Sequence, residues 1–186
     1  MSRRLPKYQK PQIPPFRRIA QTFNRIAKQT AFDLIMEFAG ERCAMFKRRI
    51  LDQDFDSFAT TPLTEQYLAR KASANADLRT MVATQHYVDS IKVLTRRNED
   101  GSITIYIGFD SRTLARNLDG KIVQFPLYAV AAVQEDGSEK ANIPPRPHWK
   151  PELGRIRAAA PRVRRRIEHA VTLAARRELQ KLLKVG

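Results

Sequence analysis

The chain has 186 residues, 42% of them hydrophobic, one cysteine and a formal net charge of +15. That length and apolar content suffice for a cored domain and exclude wholesale disorder. A lone thiol, Cys43, excludes an intrachain disulfide and a thiolate zinc cage; residues 1–18 are too basic and Pro-rich for a signal peptide, and no stretch nears the roughly 18 apolar residues of a membrane span, so a soluble protein made in a reducing cytosol is expected.

The charge is unevenly spread. Residues 1–28 carry eight basic side chains and no acid, and residues 150–186 carry eleven basic and three acidic ones. The stretch between them is nearly neutral, with fifteen basic and sixteen acidic residues. Two basic ends around a balanced centre fit a polyanionic neighbour, either nucleic acid or an acidic protein surface.

Residues 1–15, with Pro6, Pro11, Pro14 and Pro15 and no apolar period, are expected to form an extended Pro/Arg-rich arm. Residues 16–186 are expected to form a single α+β domain. Phe16, Ile19, Phe23, Ile26, Thr30, Leu34 and Phe38 recur in steps of three and four, which predicts a long N-terminal helix; Gly40 interrupts the stripe, and Met45, Phe46 and Ile50 predict its continuation to about Leu51. Residues 52–61 look like a polar loop carrying two phenylalanines. Asp52, Asp54 and Asp56 alternate there as in a calcium loop, but the required glycine and terminal glutamate are missing. Thr61 is placed to cap a short helix ending near Lys71, and a second short helix is predicted over 77–88.

Ser90–Arg97 and Ile103–Gly108, joined by Asn98-Glu-Asp-Gly101, predict a β-hairpin on which a small antiparallel sheet is built. Residues 111–124 look like a connecting loop with some helical character. Leu127–Gln134 fits either a buried helix or a strand, with its alanines favouring helix. The four prolines of 143–151 should make an extended rim segment presenting Arg146, His148 and Trp149. Residues 152–184 are expected to form a basic C-terminal helix whose main segment should start at Pro161, with Val163, Ile167, Ala170, Val171, Ala174, Leu179, Leu182 and Leu183 as its apolar stripe.

Few groups converge in an enzyme-like way. His86, His148 and His169 show no metal-ligand spacing, Cys43 falls on a helical apolar pattern, and the glycines form no phosphate loop. No catalytic residue, metal or cofactor is expected. Arg155, Arg157, Arg162, Arg164, Arg165 and Arg166 are dense enough to neutralise several phosphates, yet no base-reading module is present.

The order of segments resembles the tail-completion and neck proteins of long-tailed bacteriophages, in the minor-tail-component group. The parts that carry the resemblance are Pro62-Leu63-Thr64 with Lys71, then Thr84-Gln85-His86-Tyr87-Val88-Asp89-Ser90-Ile91, and Ile107-Gly108. Tyr128-Ala129 with Glu135-Asp136-Gly137, and finally Ile143-Pro-Pro-Arg-Pro-His-Trp149, complete the series. Gln85 stands where that family usually has glycine. The resemblance implies a homo-oligomeric, six-fold ring at the head–tail junction of a virion, made in the host cytoplasm. Its neighbours would be neck or adaptor and tail-tube or terminator proteins. Pro144, Pro145, Arg146, Pro147, His148 and Trp149 would then make inter-subunit contacts, and the six arginines would face DNA or an acidic partner. A tail terminator, another minor tail protein or a free-standing, sequence-independent nucleic-acid-binding protein are the alternatives.

Overall fold

The computed structural model describes residues 16–82 and 85–184. The expected arm and Thr84 lie outside the described residues. The elements in order are α1 (Phe16–Leu51), α2 (Asp56–Thr60), α3 (Glu65–Ser73), α4 (His86–Ser90), β1 (Lys92–Arg97), β2 (Ile103–Gly108), β3 (Leu114–Arg116), β4 (Ile122–Pro126), α5 (Leu127–Asp136) and α6 (Trp149–Lys184). This is the α+β architecture expected, with long terminal helices and a small antiparallel hairpin, and it holds a second hairpin besides.

The described residues divide into two compact units: residues 16–34 with 162–184, and residues 35–161. The first unit is helical in its described part. Its stripes, Ile19, Phe23, Ile26, Thr30 and Leu34 on α1 and Val163, Ile167, Ala170, Val171 and Ala174 on α6, are half-buried, and none of its described residues is fully buried.

The second unit holds the mixed core. Ala39, Cys43, Phe46 and Ile50 recur every three or four residues on α1 and are buried, with Phe46 and Ile50 at 0% exposure. The helix continues through Gly40 to Leu51, as Met45, Phe46 and Ile50 suggested; Gly40 lies on the exposed face, where its propensity cost of about 1 kcal/mol is tolerated. Phe55 and Phe58 are no loop decoration either. Phe55 precedes the short α2, Phe58 sits within it, and both enter the core with Tyr87, Val88, Ile91, Leu127 and Ala131.

Thr64, not Thr61, caps α3, its side chain accepting a hydrogen bond from the Tyr67 N–H. The helix predicted over 77–88 shrinks to α4. Side chains compete there for the backbone: Asp77 Oδ1 accepts the Arg79 N–H at 2.9 Å, and Gln53 brackets Thr80 through both its N–H and its carbonyl. Met81 and Gln85 also take left-handed backbone, with φ of 65° and 58°.

β1 and β2 pair antiparallel from Lys92↔Gly108 to Arg97↔Ile103. The stretch 111–124 is no helical connection but supplies β3 and most of β4. Its turn repeats the chemistry of the first. Asn98 and Asn117 each donate their N–H to the residue four on and accept from the glycine three on, and Gly101 and Gly120 adopt φ of 78° and 76°. The ambiguous 127–134 stretch is helical, as its alanines suggested. Gly137 ends α5 at φ 78°, where a Cβ would lie 2.9 Å from the Pro145 nitrogen. α6 begins at Trp149 rather than Pro161. Pro151, in its first turn, forfeits no hydrogen bond, whereas Pro161 removes one interior bond without ending the helix.

Candidate functional site

The Pro-rich segment does not present Arg146, His148 and Trp149 at a rim. Arg146 is 4% exposed, His148 is 0% exposed and Trp149 is half-buried; Pro144 and Pro145 remain exposed and Pro147 is half-buried. Pro144, Pro145 and Pro147 hold the chain extended up to the start of α6, so its alternating side chains turn inward without a helix or ladder to satisfy its polar groups. Those groups therefore bond sideways. Arg146 donates from Nε to the Thr61 carbonyl at 2.8 Å and from Nη2 to the Pro62 carbonyl at 3.1 Å, clamping the entry to α3. Burial lowers its pKa from the usual guanidinium value.

Glu135, at the end of α5, supplies what α6 lacks. Nothing before Trp149 is a Ser, Thr, Asp or Asn cap, and Pro147 has no N–H. The Glu135 carboxylate accepts the N–H groups of His148 at 2.8 Å, Trp149 at 2.9 Å and Lys150 at 2.9 Å. A carboxylate at that helix end also meets the positive pole of the dipole.

His148 closes the network. Its Nδ1 lies 2.8 Å from the Arg146 carbonyl, a contact that requires a proton on Nδ1, so Nε2 accepts from the Tyr87 hydroxyl at 2.7 Å. The Tyr87 oxygen in turn accepts the Trp149 Nε1–H at 3.0 Å. Every ring nitrogen is satisfied in the neutral form, and burial holds the His148 pKa below the ordinary value against the opposing pull of the Arg146 carbonyl and Glu135. Burial likewise drives the Tyr87 phenol well above its usual range.

A pH dependence follows from His148. Its folded pKa is depressed, so below about pH 6.5 the unfolded chain binds the proton more readily and stability falls as pH drops. Above that pH the contribution is complete. Urea unfolding between pH 7 and pH 5 should lose stability with a slope approaching 1.4 kcal/mol per pH unit for one proton. The slope should flatten in His148→Gln; an unchanged slope in that variant would assign the titration elsewhere.

Beside this network lies an open apolar groove of about 540 Å³, lined by Phe38 and Phe46 of α1, Ile105, Tyr106 and Ile107 of β2, and Trp149 and Leu153 of α6. The remaining predicted residues do not form one site. Arg155 is engaged inside the second unit: it lies 3.6 Å from Glu152, which Arg42 and Arg49 also approach at 3.5 and 3.8 Å, and its guanidinium sits 5.6 Å over the Phe55 ring. Glu152 is 3% exposed, so three cations serve one buried carboxylate. Arg157 is exposed in the same unit, and Arg162, Arg164, Arg165 and Arg166 are exposed in the other, Arg164 pairing with Glu168 at 2.9 Å.

No family model, no curated protein and no solved structure matches the chain. The sequence pointed to Glu135 and Lys71 only as parts of the resemblance and gave neither a role in the fold; Lys71 is 1% exposed, donates to the Arg79 carbonyl at 2.6 Å and has its pKa lowered by burial. A helix start without a local cap is the signal that could have sent the search to Glu135.

Proposed function

We propose that this chain is a non-enzymatic structural protein of a long-tailed phage virion, completing the top of the tail and joining it to the head as a ring around the DNA channel. The observation that carries the reading is the backbone at Gln85. The resemblance expects glycine there, and Gln85 sits at φ 58°, the left-handed region that glycine enters without strain. The Arg146-Pro-His-Trp149 stretch adds weight from its role in the fold: an uncommon motif that holds the core together is the kind that persists across a family.

The test is an amber lesion early in the gene of the phage that encodes the chain. The expected result is filled heads and separate tails in the electron microscope, with joined particles restored by adding purified protein. Joined, infectious particles from the lesion alone would overturn the reading.

The exposed Arg157, Arg162, Arg164 and Arg165 favour a second reading, sequence-independent nucleic-acid binding. It expects isolated chains to coat duplex DNA with an affinity that falls steeply with salt. Substituting these four by Gln should flatten that salt dependence. Under the neck reading the same variant should impair joining of heads to tails instead.

A further inference from the structure

We propose that the open edge of β2, with the groove beside it, receives β4 of a second copy of this chain, so that copies join head to tail through a shared sheet. This rests on the ring reading above and names the contact that would build the ring.

The phase of the first hairpin sets which groups are free. The Asn98 N–H bonds the Ser102 carbonyl at 2.9 Å, which makes Asn98 and Ser102 a hydrogen-bonded pair. Such pairs alternate, so Arg97↔Ile103, Thr95↔Ile105 and Val93↔Ile107 are the non-bonded pairs, and on β2 the backbone groups of Ile103, Ile105 and Ile107 point away from β1. Among the described residues this sheet has two strands, so no third strand takes them up. Ile105, Tyr106 and Ile107 all line the groove. Successive side chains of a strand point to opposite faces, so three consecutive lining residues mean that the groove follows the strand's edge. An edge with an apolar trough along it fits an added strand whose alternate side chains fill the trough.

Charge and exposure then choose the occupant. Natural sheet edges are guarded by charged residues, and β1 follows that rule with Lys92, Arg96 and Arg97. Neither β2 (ITIYIG) nor β4 (IVQFP) has a charged side chain. In a chain of net charge +15, these are the strands whose own side chains bring no like charges together; the charged liners of the groove are Arg42, Lys150 and Glu152. β4 is also exposed on both faces, with Ile122 63%, Val123 37% and Phe125 48% exposed. A two-stranded hairpin bare on both faces is marginal alone and gains stability when a face is covered. Val123 and Phe125, two residues apart, share one face and supply adjacent apolar anchors. Because the receiving and inserting strands are different surfaces of the same chain, the contact is heterologous, the kind that closes into a ring.

The experiment uses the full chain with benzoylphenylalanine in place of the exposed Tyr106. Irradiation should give a species of two chains, and digestion with trypsin should join peptide 98–112 of one copy to peptide 122–140 of another. Val123→Lys with Phe125→Lys should abolish that cross-link and reduce the assembly to the 21.4 kDa chain, with its far-ultraviolet circular dichroism unchanged. A link between two 98–112 peptides, a link to any other segment, no link between copies, or an assembly that survives the double substitution would each overturn the contact. A ring that persists with its cross-link elsewhere overturns the contact alone. The neck reading fails separately, if the amber lesion leaves heads and tails joined.

Discussion

Glu135→Ala is expected to destabilise the second unit by about 3–5 kcal/mol, the range seen when one side of a buried charged arrangement is removed. The carboxylate is 8% exposed and accepts three backbone N–H groups at the start of α6. Alanine leaves those donors aimed into a space that cannot hydrate all of them, and it removes the negative charge at the positive helix pole. Damage should spread outward, because the same three residues carry the His148 ring, the Trp149 ring and the pairing of Lys150 with Asp136. Urea unfolding followed by the fluorescence of Trp149, the one tryptophan in the chain, reads this unit directly. Glu135→Gln keeps an acceptor oxygen and loses the charge, so about half the penalty should remain. An alanine variant within 1 kcal/mol of the parent would mean that α6 starts equally well without this cap.

The same network shows what the sequence could and could not disclose. Elements held by local pattern were legible: the stripe of α1, the Asn98–Gly101 hairpin and the alanine-rich α5. The second hairpin was legible in principle, because Asn117-Leu-Asp-Gly120 repeats the pattern of Asn98-Glu-Asp-Gly101. Its strands β3 and β4 are so short, and β4 so evenly exposed, that no alternation marked them. Features fixed by distant partners were not legible. The cap of α6 lies in Glu135, fourteen residues before Trp149. The loss of helix over 77–82 depends in part on Gln53, 27 residues from Thr80. The start of α6 was misplaced for the same reason: Pro161 resembles a local start signal, whereas the real one is a carboxylate folded in from α5.

The candidate site carries the sharper correction. Proline density marked 143–151 as extended, which holds only as far as His148 because residues 149–151 open α6, and extension was equated with exposure. Arg146 shows why the two separate. A guanidinium has five donors, and it can be buried once carbonyls from a neighbouring loop receive them, here Thr61 and Pro62. The residues expected to reach a neighbouring subunit mostly hold this subunit together. The contact proposed above uses other surfaces, the groove edge along β2 and the bare hairpin, neither of which the composition singled out.

Trp149→Ala tests that distinction, and its expected cost is about 3–5 kcal/mol, as for other large-to-small changes in a core. The indole meets the Phe46 ring at 4.5 Å and the Phe109 ring at 5.6 Å, and its Nε1–H bonds the Tyr87 hydroxyl. Alanine removes both ring contacts, opens the floor of the groove and leaves Tyr87 without a donor. Trp149→Phe keeps a ring against Phe46 and forfeits the single hydrogen bond, so about 1 kcal/mol should be lost. Circular dichroism during urea unfolding measures both variants, since each lacks the fluorophore. Assembly separates the two roles. If Trp149 acts through the fold, Trp149→Phe should assemble like the parent, and Trp149→Ala should fail to assemble in proportion to its unfolded fraction. If Trp149 is itself an interface anchor, the Phe variant should stay folded yet lose assembly. The half-buried indole on the groove floor places the expectation on the first outcome, with the subunit contact carried by the strand edge beside it.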